Sequence, residues 1–357
     1  MEKKLSDTPV SFLDLATIIQ GDATAADAFK RSMESAKLAE QLGYTRYWFA
    51  EHHNMESVAS SATAVLIGYI ANGTSTIRVG SGGIMLPNHA PLIIAEQFGT
   101  LASLYPGRID LGIGRAPGTD QVTSYALRRT LKGDINDFPN DVVELINYLG
   151  PIDPKAKVKA IPGQGTNVPV WLLGSSTYSA ALAAMLGLPF AFASHFSPAQ
   201  LFDALQIYRT NFKPSEFLKQ PYAMACVNVI AADTDEEAHY LSTSFHQMAL
   251  GMFRNTRRPL PPPVHSMEDI WSDAEEIGVM QMLHYSFVGK PDTIERSLQQ
   301  FLDKTQLDEI MVTAHLYDLN ARLKSLELTS RLFKTGKKVA AMKNDKVGTV
   351  ITEGLPK

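Results

Sequence analysis

Residues 169–193 read PVWLLGSSTYSAALAAMLGLPFAFA. VWLLG and FAFA are apolar without polar alternation, the pattern of strands whose two faces are both covered. Between them Tyr178–Gly187 has helical length, Gly187 supplies a stop, and Pro189 returns the chain to an extended path. A strand, a helix and a second buried strand in so short a span describe one unit of a parallel α/β sheet. The apolar part, Ala180–Ala193, is broken by Gly187 and Pro189 and falls well short of the roughly 20 residues that cross a bilayer.

The same alternation extends in both directions. Strands are expected at Val10–Leu15, Arg46–Ala50, Ile77–Ile84, Ile109–Gly114, Pro169–Gly174, Pro189–Ala193, Tyr222–Ile230 and Glu309–Ala314. Helices are expected at Ala25–Leu42, Ser60–Asn72, Ala90–Leu104, Pro139–Leu149, Tyr178–Gly187, Pro198–Phe212, Asp235–Leu250, Thr293–Leu302 and Asn320–Phe333. In the first helix Phe29, Met33, Ala36 and Ala39 recur near 3.6-residue spacing, with Lys30, Glu34, Lys37 and Glu40 on the other side. Eight strands interleaved with helices predict a single (β/α)8 TIM-type barrel, α/β in class, with insertions after strands 4 and 7. A doubly wound open sheet is the alternative. The barrel is expected over residues 1–333, and the lysine-rich, weakly patterned residues 334–357 as a flexible C-terminal tail.

Of the 357 residues, 45% are hydrophobic and 20% charged, enough apolar mass to enclose a sizeable core. A net charge of -4 offers no basic surface for nucleic acid or an anionic membrane, so a small-molecule partner is expected. The single cysteine, Cys226, excludes an internal disulfide. No export signal is legible near the amino terminus, and a cytoplasmic location is expected.

In a barrel, chemistry belongs at the carboxyl ends of strands. The second expected strand ends in Glu51, His52 and His53, the third in GSGGIMLPNH, the fourth in GIGRAPG, the fifth in GSSTYS and the sixth in Ser194 and His195. Arg115 beside the Gly174, Ser175, Ser176, Thr177 turn could grip one phosphate through a guanidinium, hydroxyls and helix amides. The plainer reading is a helix cap and a surface ion pair. Gly80, Gly82 and Gly83 mark either a barrel bend or the close approach of a flat ring. Metal is not expected: adjacent His52 and His53 would face opposite ways, and no ligand-like spacing accompanies them. Arg254–Leu283, with RRPLPPP and Trp271, reads as a long irregular segment, either a lid or a surface linker.

YWFAEHHN, VGSGGIMLPNHAPL, AEQFGTL, YPGRIDLGIGRAPG and PVWLLGSS, in this order, resemble the bacterial luciferase-like flavin monooxygenase family, and within it the uncharacterised bacterial branch. The likeness runs from about Leu5 to Leu332. It implies a (β/α) barrel holding FMN, delivered reduced as a co-substrate with O2, commonly in a homodimer, with a separate flavin reductase as the possible supplier. By position, Arg115 with Gly174, Ser175 and Ser176 would hold the FMN phosphate. Gly82 and Gly83 would lie under the ring, where relatives often carry a non-proline cis peptide. Glu51 and His52 match the acid and histidine near the reactive edge. Light-emitting relatives carry a cysteine where Gly114 stands here and an acid at Gly174, so aldehyde luminescence is not implied.

His52 is the expected acid or base, since imidazole titrates near working pH. His53 and His195 are weaker candidates, and His89 is read as structural. The expected reaction is monooxygenation of a small organic substrate. The alternatives are hydride transfer with deazaflavin or nicotinamide in the same superfamily, and flavin binding without catalysis.

Overall fold

Nine parallel strands form one sheet in the computed structural model, which describes residues 3–116, 118–127, 137–256 and 258–333. They are β1 (Val10–Asp14), β2 (Arg46–Phe49), β3 (Arg78–Met85), β4 (Ile109–Gly114), β5 (Val170–Gly174), β6 (Phe190–Phe192), β7 (Ala223–Ala231), β8 (Ser286–Gly289) and β9 (Glu309–Thr313). The pairing of β6 with β7 closes a ring of eight in the order β1, β2, β3, β4, β5, β6, β7, β9. This closure rules out the open sheet. All eight expected strands are members of the ring. The ninth, β8, pairs with Asn228–Ala231 of β7 and stands outside it.

The helices around the ring are α1 (Ala25–Gln41), α2 (Thr63–Gly73), α3 (Pro91–Leu104), α4 (Gln121–Leu127), α5 (Phe138–Leu149), α6 (Thr177–Leu186), α7 (Leu201–Asn211), α8 (Asp235–Phe253), α9 (Asp273–Met282), α10 (Pro291–Thr305) and α11 (Leu319–Ser330). Their starts are encoded locally. The Thr24 side chain accepts from the Ala26 amide while Asp27 accepts from the Thr24 amide, a reciprocal cap on α1. From there Ala28, Met33, Ala36 and Ala39 are buried toward the strands.

Arg254–Leu283 is less irregular than its composition suggests. Ser272 and Glu275 cap α9, and among the described residues the irregular part shrinks to those between Arg254 and Ser272. It is also pinned: the buried Leu260 donates its amide to Ile18 O at 2.8 Å and accepts from the Gln20 amide at 2.9 Å. The expected tail, 334–357, lies outside the described residues.

Successive residues of each strand divide two cores. Phe12, Tyr47, Phe49, Val79 and Leu111 pack beneath the helices. Leu13, Trp48, Ala50, Trp171, Ala191, Met224, Cys226 and Met311 fill the barrel axis. At the amino ends of the strands, Arg46 binds Asp110 at 2.7 Å and Glu309 at 3.0 Å, and its guanidinium carbon lies 4.8 Å from the Trp171 ring centre. Tyr222 adds a hydrogen bond to Glu309 at 2.8 Å, and Arg78 pairs with Asp110. Both carboxylates are fully buried, so this network closes the barrel floor.

Candidate functional site

β2 ends at Phe49, with Trp48 facing the axis and Tyr47 and Phe49 facing the helices. Ala50 still packs in the axial core, and Glu51, His52 and His53 follow outside the strand, at its carboxyl end. Glu51 is fully buried, accepting from His53 Nε2 at 2.7 Å, His89 Nε2 at 2.9 Å and the Met85 amide at 3.1 Å. Burial alone would raise its pKa. The hydrogen bonds from His53 and His89 outweigh that and hold it below the ordinary value. His89, read from sequence as structural, is thus a partner of the candidate acid. His52 Nδ1 lies 3.4 Å from Gly118 O, which joins it to the loop after β4.

β3 ends in the three glycines. The Gly82–Gly83 peptide is cis, and the β3–β4 register shifts between Gly82 and Ile84. A Cβ on Gly80 would sit 2.8 Å from Trp48 Nε1, and one on Gly83 would sit 2.7 Å from Gly112 O. The bend is therefore present, and the close approach at Gly80 and Gly83 is that of this chain's own Trp48 and Gly112. Gly82 remains partly open, on the same face of the strand as Gly80.

Arg115 leaves the end of β4 and lays its guanidinium over the ring of Tyr178, 3.9 Å from Cζ to the ring centre. Among the described residues it makes no ion pair. Ser176 stands at the cap position of α6, yet its side chain makes no capping bond. Gly174 is held close against Ser179, and Gly174, Ser175 and Ser176 are all partly open. The plainer reading, a cap plus an ion pair, is not what these residues do. The turn offers amides and hydroxyls to the same space as a cation, a donor set suited to a phosphate.

Three further polar residues meet at the mouth. His195 follows β6, Asn228 lies in β7, and His315 follows β9. Of these, Asn228 and His315 were not legible beforehand, because their chain neighbours are ordinary core residues. The usable signal is the two-residue step from Met224 and Cys226 to Asn228, and from Met311 through Thr313 to His315. No group of three or more potential metal-binding side chains occurs among the described residues.

Residues 9–301 match the profile of the luciferase-like monooxygenases, and the chain belongs to that family. A luciferase-like monooxygenase of Escherichia coli K12 is 55% identical over 326 residues, covering 91% of this chain and 97% of its own. An N-acetyl-S-alkylcysteine monooxygenase of Bacillus subtilis is 38% identical over 241 residues, covering 64% of this chain and 69% of its own. Among solved structures, apo-MsnO8 superposes with a TM-score of 0.85 at 35% identity, over 91% of this chain and 98% of that one. At the level of fold alone, the barrel is shared with an FMN complex of the 3,6-diketocamphane monooxygenase oxygenating component (TM-score 0.68, 18% identity, 94% of this chain and 100% of that one). An F420-dependent secondary alcohol dehydrogenase shares it too (0.62, 14%, 91% and 98%).

Proposed function

We propose that this protein is an FMN-dependent monooxygenase that uses reduced FMN and O2 to oxygenate a small organic substrate. The observation that carries the reading is Arg115, without an ion pair among the described residues and stacked on Tyr178, beside the uncapped first turn of α6. On the neighbouring strand β3, the cis Gly82–Gly83 step packs tightly on Leu13, Trp48 and Gly112 and leaves Gly82 partly open toward the mouth. Both relatives described as monooxygenases support oxygenation.

Bound reduced FMN would supply the electrons that split O2. Arg115 and the Ser175 and Ser176 turn would hold its phosphate, and Gly82 and Gly83 would lie beside its ring. His52, at the mouth, holds or transfers a proton at Nε2, its ring oriented by Gly118 O. Glu51 acts through its partners: buried beneath His53 and His89, it fixes the loops that carry them and His52. We infer also that a separate reductase supplies the reduced flavin and that the protein works in the cytoplasm, consistent with its buried free thiol and with no described helix long and apolar enough to span a membrane.

The test is to titrate the apoprotein with FMN, riboflavin and deazaflavin by fluorescence, then to measure oxygen uptake with reduced FMN. FMN should bind well ahead of riboflavin, and oxygen uptake should track substrate consumed. Preferential deazaflavin binding without oxygen use would turn the reading to hydride transfer. In His52→Ala, FMN should still bind while oxygenation falls by about 10²-fold or more; an unchanged rate removes His52 from the chemistry.

A further inference from the structure

The ring order divides the mouth in two. β2, β3, β4 and β5 carry the residues assigned to FMN, whereas β6, β7 and β9 form one continuous arc on the other side. On that arc the Asn228 amide donates to His195 O at 2.7 Å and to Ser286 Oγ at 3.1 Å, which fixes its orientation. Its Oδ1 then has no partner, although Asn228 is only 2% exposed. Nδ1 of His315, a residue 6% exposed and stacked on Phe245 at 5.0 Å, has none either. Nor does Nδ1 of His195, whose ring packs edge-on to Phe196. Three buried polar atoms without partners, on β7 and just after its neighbours β6 and β9, are costly to leave unmet, and a ligand is the natural complement.

We propose that His195, Asn228 and His315 form a subsite for a neutral hydrogen-bonding group of the organic substrate, an amide or a hydroxyl, facing the flavin cradle. The proposal rests on the monooxygenase reading of this mouth. Asn228 Oδ1 can only accept, so the ligand must bring an N–H or O–H donor; each imidazole can donate or accept according to its tautomer. No unmatched charge is offered to a charged group. The nearby cation, Arg322, has its charge matched by Asp14 at 2.9 Å, although its Nε has no partner among the described residues, and Asp14 also accepts from Tyr47 at 2.5 Å. Burial, reinforced by the neighbouring His315 and His52, pushes His195 down to about 3, and burial with Arg322 pushes His315 down to about 4. Both rings are thus uncharged at neutral pH.

The experiment uses three probes of similar size on the full chain with ¹⁵N-labelled histidine: N-propylacetamide, hexanoate and hexylammonium. N-propylacetamide should give saturable shifts in the ring nitrogens of His195 and His315, with or without FMN, while the two ions leave them unmoved. His315→Phe, which retains the stack on Phe245, should weaken amide binding by about tenfold. Should that variant fail to fold by circular dichroism, His195→Leu is measured instead. Absence of saturable shifts, equal binding of hexanoate, or no weakening in the variant overturns the proposal. So does FMN displacing the amide while producing the same shifts, since the arc would then belong to the cofactor. Failure of FMN to bind defeats the proposed function, but the amide result on apoprotein still decides the subsite.

Discussion

The guanidinium of Arg115 lies flat over Tyr178, the second residue of α6, and that contact aims a cation at the helix start. A phosphate placed there would meet a charge and a row of amides already held in position.

Arg115→Ala should therefore weaken FMN by about 10- to 100-fold, the equivalent of one charge-assisted hydrogen-bonded contact at roughly 1.5–3 kcal/mol. Riboflavin, which lacks the phosphate, should bind equally to both proteins. Parallel fluorescence titrations measure the difference, and an equal loss for riboflavin would assign Arg115 to scaffolding alone.

Glu51 gives a pH signature. Its folded pKa lies below the ordinary value of 4.5, so its hydrogen bonds add stability that is complete above that value and fades as pH falls through the lower, folded one. Glu51→Gln should lower stability at pH 7 by about 1–3 kcal/mol and lose less than the wild type on acidification from pH 5 to pH 3. Urea midpoints across that window measure both quantities; parallel curves would show that Glu51 is not depressed.

Gly83→Ala tests the packing of the Gly82–Gly83 step. The added Cβ would meet Gly112 O at 2.7 Å and Gly112 C at 2.9 Å, backbone atoms of β4 that cannot swing aside. A loss of about 1–3 kcal/mol is expected in urea unfolding. Gly107→Ala, at φ +74° but with open space around it, serves as the comparison that isolates backbone conformation from crowding.

α2 and α3 carry exposed apolar side chains on their outer faces: Val65 at 71%, Leu104 at 63%, Ile93 at 47% and Tyr69 at 43%. We propose that a second copy of this chain covers them. Sedimentation should give a dimer for the wild type and a monomer for Val65→Glu with Ile93→Glu; a wild-type monomer at micromolar concentration would place no copy there.

How legible was this molecule in its sequence? Each ring strand carried its own apolar run, so all eight could be read one at a time. β8 escaped because SFVG is four residues long and pairs outside the ring. α9 escaped because Val279 alone of its residues is buried, leaving almost no amphipathic pattern, although Ser272 and Glu275 did spell its cap. Glu51, His52, Gly82, Gly83, Arg115 and the Ser176 turn stood out as clusters of unusual residues at strand ends. Asn228 and His315 have no such neighbours; only closure of the ring brings them beside His195.

The charged floor built on Arg46, Asp110 and Glu309 makes the barrel a cup and not a pipe. Traffic has one door. Whatever enters at the mouth must also leave by it, so every guest of the barrel shares one path in and out.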